Sequence, residues 1–278
     1  MNVYEMVTDR ILEKLKEGKI PWKKCWKSAS SYAYNRVSKK PYSLLNQLLL
    51  SKNGEYASFK QWKKLGGHIK KGAKGEIVVF WKWLKKEKED ENGESTLERI
   101  PVLKYYTVFH ISQVEGVDPL EKEDLSVSLF ESIECAEEIK EDYLNREHIA
   151  FEENKFTEAS YSPANDKIEV PTGERFQKPE EYYATLFHEM VHSTGHPSRL
   201  NRDLSGRFGS KKYAAEELVA EIGSAILLSQ TGIETDATFE NSTAYVQSWI
   251  AHLKNDSRMI VLASGKAEKA VNFIENVA

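Results

Sequence analysis

The distribution of charge along the chain constrains its fold more than any other feature. Residues 1–114 carry 23 Lys+Arg against 12 Asp+Glu, whereas the remainder carries 16 against 31. The aromatic residues are skewed as well: five of the six Trp, and half of all Phe, Trp and Tyr, precede residue 115. A basic, aromatic half and an acidic half do not make one uniform domain, and 278 residues are enough for two. The first half has the composition of a nucleic-acid surface. A solvated lysine face over a Trp-rich core would show the same composition.

Periodicity fills in the two halves. Helical spacing marks residues 4–16, through Val7, Ile11, Leu12 and Leu15, and then 42–50 and 59–65. Residues 76–84 and 99–110 are β-branched and aromatic and read as paired strands. Between them, 85–98 reads as a charged loop centred on Asn92-Gly93. The polar stretch 113–124, with Gly116 and Pro119, is the expected boundary. Beyond it come an acidic helix over 129–146, strands within 151–171, and helices near 179–194, 212–230, 242–255 and 265–276. The expected class is α+β in both halves, with domains at 1–120 and 125–278. No run of 18 apolar residues exists, so no membrane span is expected. The first 22 residues alternate charged and apolar side chains, unlike a signal peptide. Cys25 and Cys135 match neither a metal spacing nor a disulfide framework. A cytoplasmic location is the resulting expectation.

The sharpest chemical signal is His188-Glu189-Met190-Val191-His192. Pro179, Glu180 and Glu181 suit the start of a helix, and Gly195 and Pro197 its end. Residues four apart share a helix face, so His188 and His192 can grip one ion. Zn²⁺ accepts two imidazoles and a carboxylate and leaves a position for water, beside which Glu189 would act as general base. His196 lies eight residues after His188, roughly 12 Å along a helix axis and out of range. Position 198, where a third histidine would stand in metzincins, is Ser198. The better third ligand lies on a second helix through residues 213–223, where Glu217 and Glu221 share a face in the gluzincin manner. Glu217 is assigned as the ligand and Glu221 as the residue that orients a ligating histidine. The reverse assignment stays open, and Glu216 reads as an exposed charge. Gly223-Ser224-Ala225 would let the second helix approach the first closely. His196, Arg199 and Tyr213 are chemically able to stabilise an oxyanion, although each also suits a structural role.

These motifs occur in an order that resembles a known family. The N-terminal part shares Val7-Thr8-Asp9-Arg10-Ile11, Pro21-Trp22, Lys40-Pro41-Tyr42, Phe59-Lys60-Gln61-Trp62, Gly66-Gly67, Lys71-Gly72 and Tyr106-Thr107-Val108-Phe109. The C-terminal part shares the 188–196 segment, the run from Ser198 through Arg199, Leu200, Asn201, Arg202 and Asp203 to Leu204, then Arg207-Phe208-Gly209-Ser210 and the glutamates of 216–221. Together they resemble the ArdC-type antirestriction proteins of conjugative plasmids and related mobile elements. The charged 85–98 segment and His110, where asparagine is expected, depart from the pattern. The resemblance implies a single-stranded-DNA-binding N-terminal domain and a zincin-like metallopeptidase C-terminal domain. It also implies protection of incoming DNA from host restriction during conjugation.

The expected partners are therefore single-stranded DNA and an unknown protein substrate, for which a host restriction component is a candidate. Trp22, Lys23, Trp26, Lys70, Lys71 and Lys74 are the expected DNA contacts, because unpaired bases stack on indoles and ammonium groups reach phosphates. The alternative is a non-proteolytic protein with a structural zinc domain that shields DNA or blocks a restriction enzyme. A nuclease is disfavoured, since such sites usually hold Mg²⁺ or Mn²⁺ through carboxylates.

Overall fold

A computed structural model describes residues 2–23, 32–89, 95–120, 129–155, 158–233 and 243–277. The chain forms two compact units that interleave in sequence. The first comprises Met1–Val7 and Ala33–Leu120, and the second Thr8–Tyr32 and Glu121–Ala278. By this grouping Thr8–Tyr32 goes with the C-terminal unit rather than with the first. Within that unit Thr8 donates a hydrogen bond to the Ser257 carbonyl (2.8 Å), and Trp22 packs edge-on against Trp249 at 5.9 Å. Helix α1 (Val3–Lys16) thus starts in one unit and continues in the other, with Val7, Ile11, Leu12 and Leu15 all buried.

The first unit is α+β. Strands β1 (Ala33–Asn35), β2 (Gly54–Ala57), β5 (Ser95–His110) and β4 (Glu76–Glu89) form one sheet in that order. β3 (His68–Ile69) and β6 (Val114–Glu115) form a second, two-stranded sheet. Helix α2 (Leu44–Leu49) is joined to the main sheet by two buried amides. Asn46 both donates to the Val79 carbonyl and accepts from its amide (2.9 and 2.7 Å), and Gln47 does the same at Ala33. Helix α3 (Phe59–Lys64) starts on a Ser58–Gln61 capping box and buries Trp62 completely. The hairpin is longer than periodicity suggests. β4 runs on to Glu89 and β5 begins at Ser95, in a register that puts Lys86 opposite Glu98. Backbone pairing does not require apolar side chains, so a charged ribbon still forms a ladder.

Among the described residues the second unit carries, besides its part of α1, the helix α4 (Leu129–Glu147), a small sheet and four further helices. In the sheet, β7 (Ala150–Asn154) runs parallel to β9 (Lys167–Pro171), and β8 (Ser160–Ser162) lies antiparallel at the edge. Helix α5 (Pro179–Ser193) opens on proline and two glutamates, which suit the free amides and positive dipole of a helix start. Helix α6 (Lys211–Thr231) is capped by Ser210, whose hydroxyl accepts from the Tyr213 amide, and it ends on Gly232 in the left-handed region. α7 (Thr243–Asn255) and α8 (Met259–Ile274) complete the unit, and α8 starts earlier than its sequence pattern indicates. α5 and α6 pack with almost no gap. A Cβ on Gly223 would stand 2.7 Å from the Val191 side chain, so glycine sets how closely the two helices meet.

Candidate metal centre

The close approach at Gly223 brings one face of α5 against one face of α6. His188 and His192, one turn apart on α5, present their Nε2 atoms 3.1 Å from each other. Glu217 reaches across from α6. Its two carboxylate oxygens lie 3.5 Å from His188 Nε2 and 3.4 Å from His192 Nε2. Three donors around an ion with bonds of about 2.0–2.1 Å would be separated by about 3.3 Å in a tetrahedron. The two imidazole nitrogens stand at about that spacing, each facing a different oxygen of Glu217, and one donor atom from each of the three residues lies within 4.8 Å of the others. Among the described residues this is the group of His, Cys, Asp and Glu able to hold a metal. Two imidazoles and a carboxylate are a donor set for Zn²⁺ or a similar divalent ion.

The surroundings prepare these ligands. Glu216, the neighbour of Glu217, turns to the other side of His192 and lies 3.3 Å from its Nδ1. That contact places the proton of a neutral ring on Nδ1 and leaves the Nε2 lone pair for the ion. Arg202 clamps Glu216 through Nε and Nη2 (2.8–3.2 Å) and donates as well to Thr194 Oγ1 and the Val191 carbonyl. Burial disfavours the charged form of His192, but hydrogen bonds to Glu216 and Glu217 and the charge of Glu189 outweigh it and raise its pKa to about 9. Burial also opposes ionisation of Glu217 and Glu216. For Glu217 the two histidines win and hold its pKa far below the usual carboxylate range; for Glu216, His192 and Arg202 do the same in lesser degree. The site is therefore rich in negative charge and suited to a cation.

Glu189 is 8% exposed and lines the same cleft of about 320 Å³ as the three ligands. Ser160 and Tyr161 of β8 form part of its wall, as does Tyr213. Burial and the nearby Glu217 raise the Tyr213 pKa, so its phenol keeps its proton. The other two candidate oxyanion donors have different work. Arg199 is bound to Asp166, the Ser193 carbonyl and Glu147, fastening the turn after α5 to the sheet. His196 is paired with Ser198.

Two residues of this arrangement escape sequence reasoning. Glu216 is buried rather than exposed, and Arg202 is its partner. The signal for Arg202 is its place in the 198–204 run that the family resemblance shares. Glu221, assigned the orienting role, stands one turn beyond Glu217, half-buried and outside the ligand group. The contact with His192 Nδ1 is made by Glu216.

Comparison with known proteins agrees with this site. Residues 138–266 match a family described as zincin-like metallopeptidase, and residues 1–109 match the N-terminal domain of anti-restriction factor ArdC. The metal-free crystal structure of the antirestriction ArdC protein from the R388 plasmid is 33% identical, covers 100% of both chains, and aligns with a TM-score of 0.73. The chain belongs to the ArdC family of antirestriction proteins. The Mn(II)-bound form of that R388 ArdC protein aligns with a TM-score of 0.74 over 99% of this chain and 98% of its own. The uncharacterized protein y4eC of Sinorhizobium fredii is 31% identical over 98% of this chain and 91% of its own length. Two Escherichia coli proteins named DNA primase TraC are 34% and 33% identical over 98% of this chain. The chain spans only 27% and 20% of their lengths.

The expected DNA contacts of this ArdC-family chain fall in different places. Trp22 is 3% exposed, sits in the turn Pro21–Lys23 of the second unit, and cannot offer a stacking face. An indole flanked by lysines has the same pattern in sequence whether it faces water or a core, so only packing distinguishes the two. Trp26 and the side chain of Lys23 lie outside the described residues. Lys70, Lys71 and Lys74 are exposed in the turn around Gly72, and Lys70 donates to the Ser112 carbonyl. No described helix is long and apolar enough to cross a membrane.

Proposed function

We propose that this ArdC-family chain is a zinc-dependent peptidase that cleaves a protein at or near single-stranded DNA, and that this serves the protection of incoming DNA from host restriction. The observation that carries the reading is Glu189. A metal that only ties helices together has no use for a buried carboxylate beside its ligands, whereas peptide hydrolysis needs a base there. His188, His192 and Glu217 would hold the ion, which when bound polarises a peptide carbonyl and its own water. Glu189 would take the proton of the attacking water and return it to the leaving amine. The Tyr213 phenol, protonated at neutral pH, can donate a hydrogen bond into the cleft. β8 supports a peptide substrate. It is an edge strand that lines the cleft, and among the described residues no strand pairs with its outer side. An extended peptide could add to that edge by backbone pairing.

The basic first unit supplies the DNA side of the proposal, since its lysine-rich surface suits a polyanion. The test is metal analysis together with cleavage of casein and of the chain itself, with and without single-stranded DNA. Wild type should retain zinc and cleave, with stimulation by DNA. Glu189→Gln should retain zinc and lose cleavage. Zinc and DNA both bound, with no cleavage by wild type, would favour a structural zinc domain that acts by shielding.

A further inference from the structure

Trp22 is buried in the second unit, so a stacking surface for bases has to be sought elsewhere, in the basic first unit. The middle of the β4–β5 hairpin provides one. Residues 77–84 and 100–109 contain no Asp or Glu, in a chain that has 43 of them. They do contain exposed aromatic side chains: Phe80 (42%), Trp81, Trp83 (62%), Tyr105 and Tyr106 (39%). An apolar, acid-free patch of this kind marks an interaction site rather than ordinary surface.

Strand alternation sorts these residues onto two faces. The register sets Phe80 opposite Lys104, Lys82 opposite Val102, and Val78 opposite Tyr106. Phe80, Lys82, Lys104 and Tyr106 therefore share one face. The Phe80 and Tyr106 rings lie 5.5 Å apart on it, and both lysines are exposed. Trp81 and Trp83 belong to the opposite face, where Tyr4 meets Trp81 edge-on at 6.4 Å. That face has no lysine from either stretch. Where the first face continues toward Val78 and Val108, it becomes core with Tyr56 and Ala33. Only its outer half is open.

We propose that this outer half, with Phe80 and Tyr106 as stacking rings and Lys82 and Lys104 as phosphate contacts, is where single-stranded DNA lies. The proposal rests on the DNA-binding half of the function proposed above. Charge selects the occupant. An apolar protein surface, or a second copy of this face, would bury two ammonium groups without counter-charge, which is unfavourable. A single strand offers unpaired base faces and phosphates together, and duplex DNA hides the base faces.

The test is fluorescence anisotropy of labelled oligo(dT) with the full chain, over a range of salt. Phe80→Ala and Tyr106→Ala should each weaken binding by about 5- to 100-fold, while Tyr106→Phe, which keeps the ring, should bind as wild type. Lys82→Ala/Lys104→Ala should flatten the dependence of log K on log salt by about 1.4, at about 0.7 per lost phosphate contact. These lysines are solvent-exposed, so this variant reports on binding even if a ring variant fails to fold. Trp83→Ala, on the opposite face, should bind as wild type. If wild type binds oligo(dT) and the ring and lysine variants bind equally well, this location is overturned while the DNA reading stands. A loss with Trp83→Ala as large as with Phe80→Ala also overturns it. If wild type binds no single strand at low salt, the DNA reading and this location fall together.

Discussion

Replacing Arg202 with methionine tests how the metal centre is held together before any metal enters. The Arg202 side chain is 5% exposed and its partner Glu216 10% exposed. Methionine keeps much of the volume and removes the charge. Glu216 is then left buried with one neighbour fewer, and the Val191 carbonyl and Thr194 hydroxyl lose their donors. Breaking a buried pair by removing one partner costs about 3–5 kcal/mol. At about 2–4 °C per kcal/mol for a domain of this size, the midpoint should fall by about 6–20 °C. The assay is thermal and urea unfolding of chelator-treated protein, so that metal binding does not add to the stability measured. Arg202→Met/Glu216→Leu removes both charges and should recover most of the loss, because apolar side chains replace such pairs at little net cost. It should not recover metal affinity. Without Glu216, His192 lacks its Nδ1 acceptor, and affinity should stay about 10- to 100-fold below wild type. A single variant within about 1 kcal/mol of wild type, or a double variant no more stable than the single, would refute the reasoning.

Other outcomes follow from the same geometry. Gly223→Ala puts a methyl group 2.7 Å from Val191, so it should destabilise the fold by about 1–3 kcal/mol and weaken metal binding, with partial rescue by Val191→Ala in the same assays. His188→Ala, His192→Ala and Glu217→Ala should each strip most zinc as measured by elemental analysis, while Glu221→Ala should strip little; the opposite ranking of the two glutamates would reverse their roles. In metal-stripped protein the His192 pKa is raised from 6.5 to about 9, so the stability it contributes is full below pH 6.5 and is lost as pH rises through 9. Zinc needs the neutral ring, so affinity in a chelator competition should climb over the same interval, and a flat profile would contradict this. Trp22→Ala should destabilise the fold by about 3–5 kcal/mol in urea unfolding, with no effect on DNA affinity in the fraction that remains folded.

The amino-acid sequence determined the parts of this protein that depend on local repetition. His188 and His192 share a helix face because their spacing is one turn, and Pro179 and Gly195 bracket that helix with no help from the rest of the fold. Runs rich in β-branched and aromatic residues marked the hairpin, and Gly223 marked a close helix contact. What only the tertiary structure decided depends on which surfaces meet. Glu216 and Glu217 are adjacent, chemically identical and both on α6. Their different roles come from His192 lying between them and from Arg202 arriving through a turn that Arg199 anchors. Trp22 and Phe80 show the same limit from the other side. Each is an aromatic residue next to lysine or tryptophan in a basic segment, yet one is sealed against Trp249 and the other is open to solvent. Hydrophobicity drives both kinds of ring toward burial. The covering elements settle which is buried, and Trp22 is covered by a unit that begins again only after residue 120.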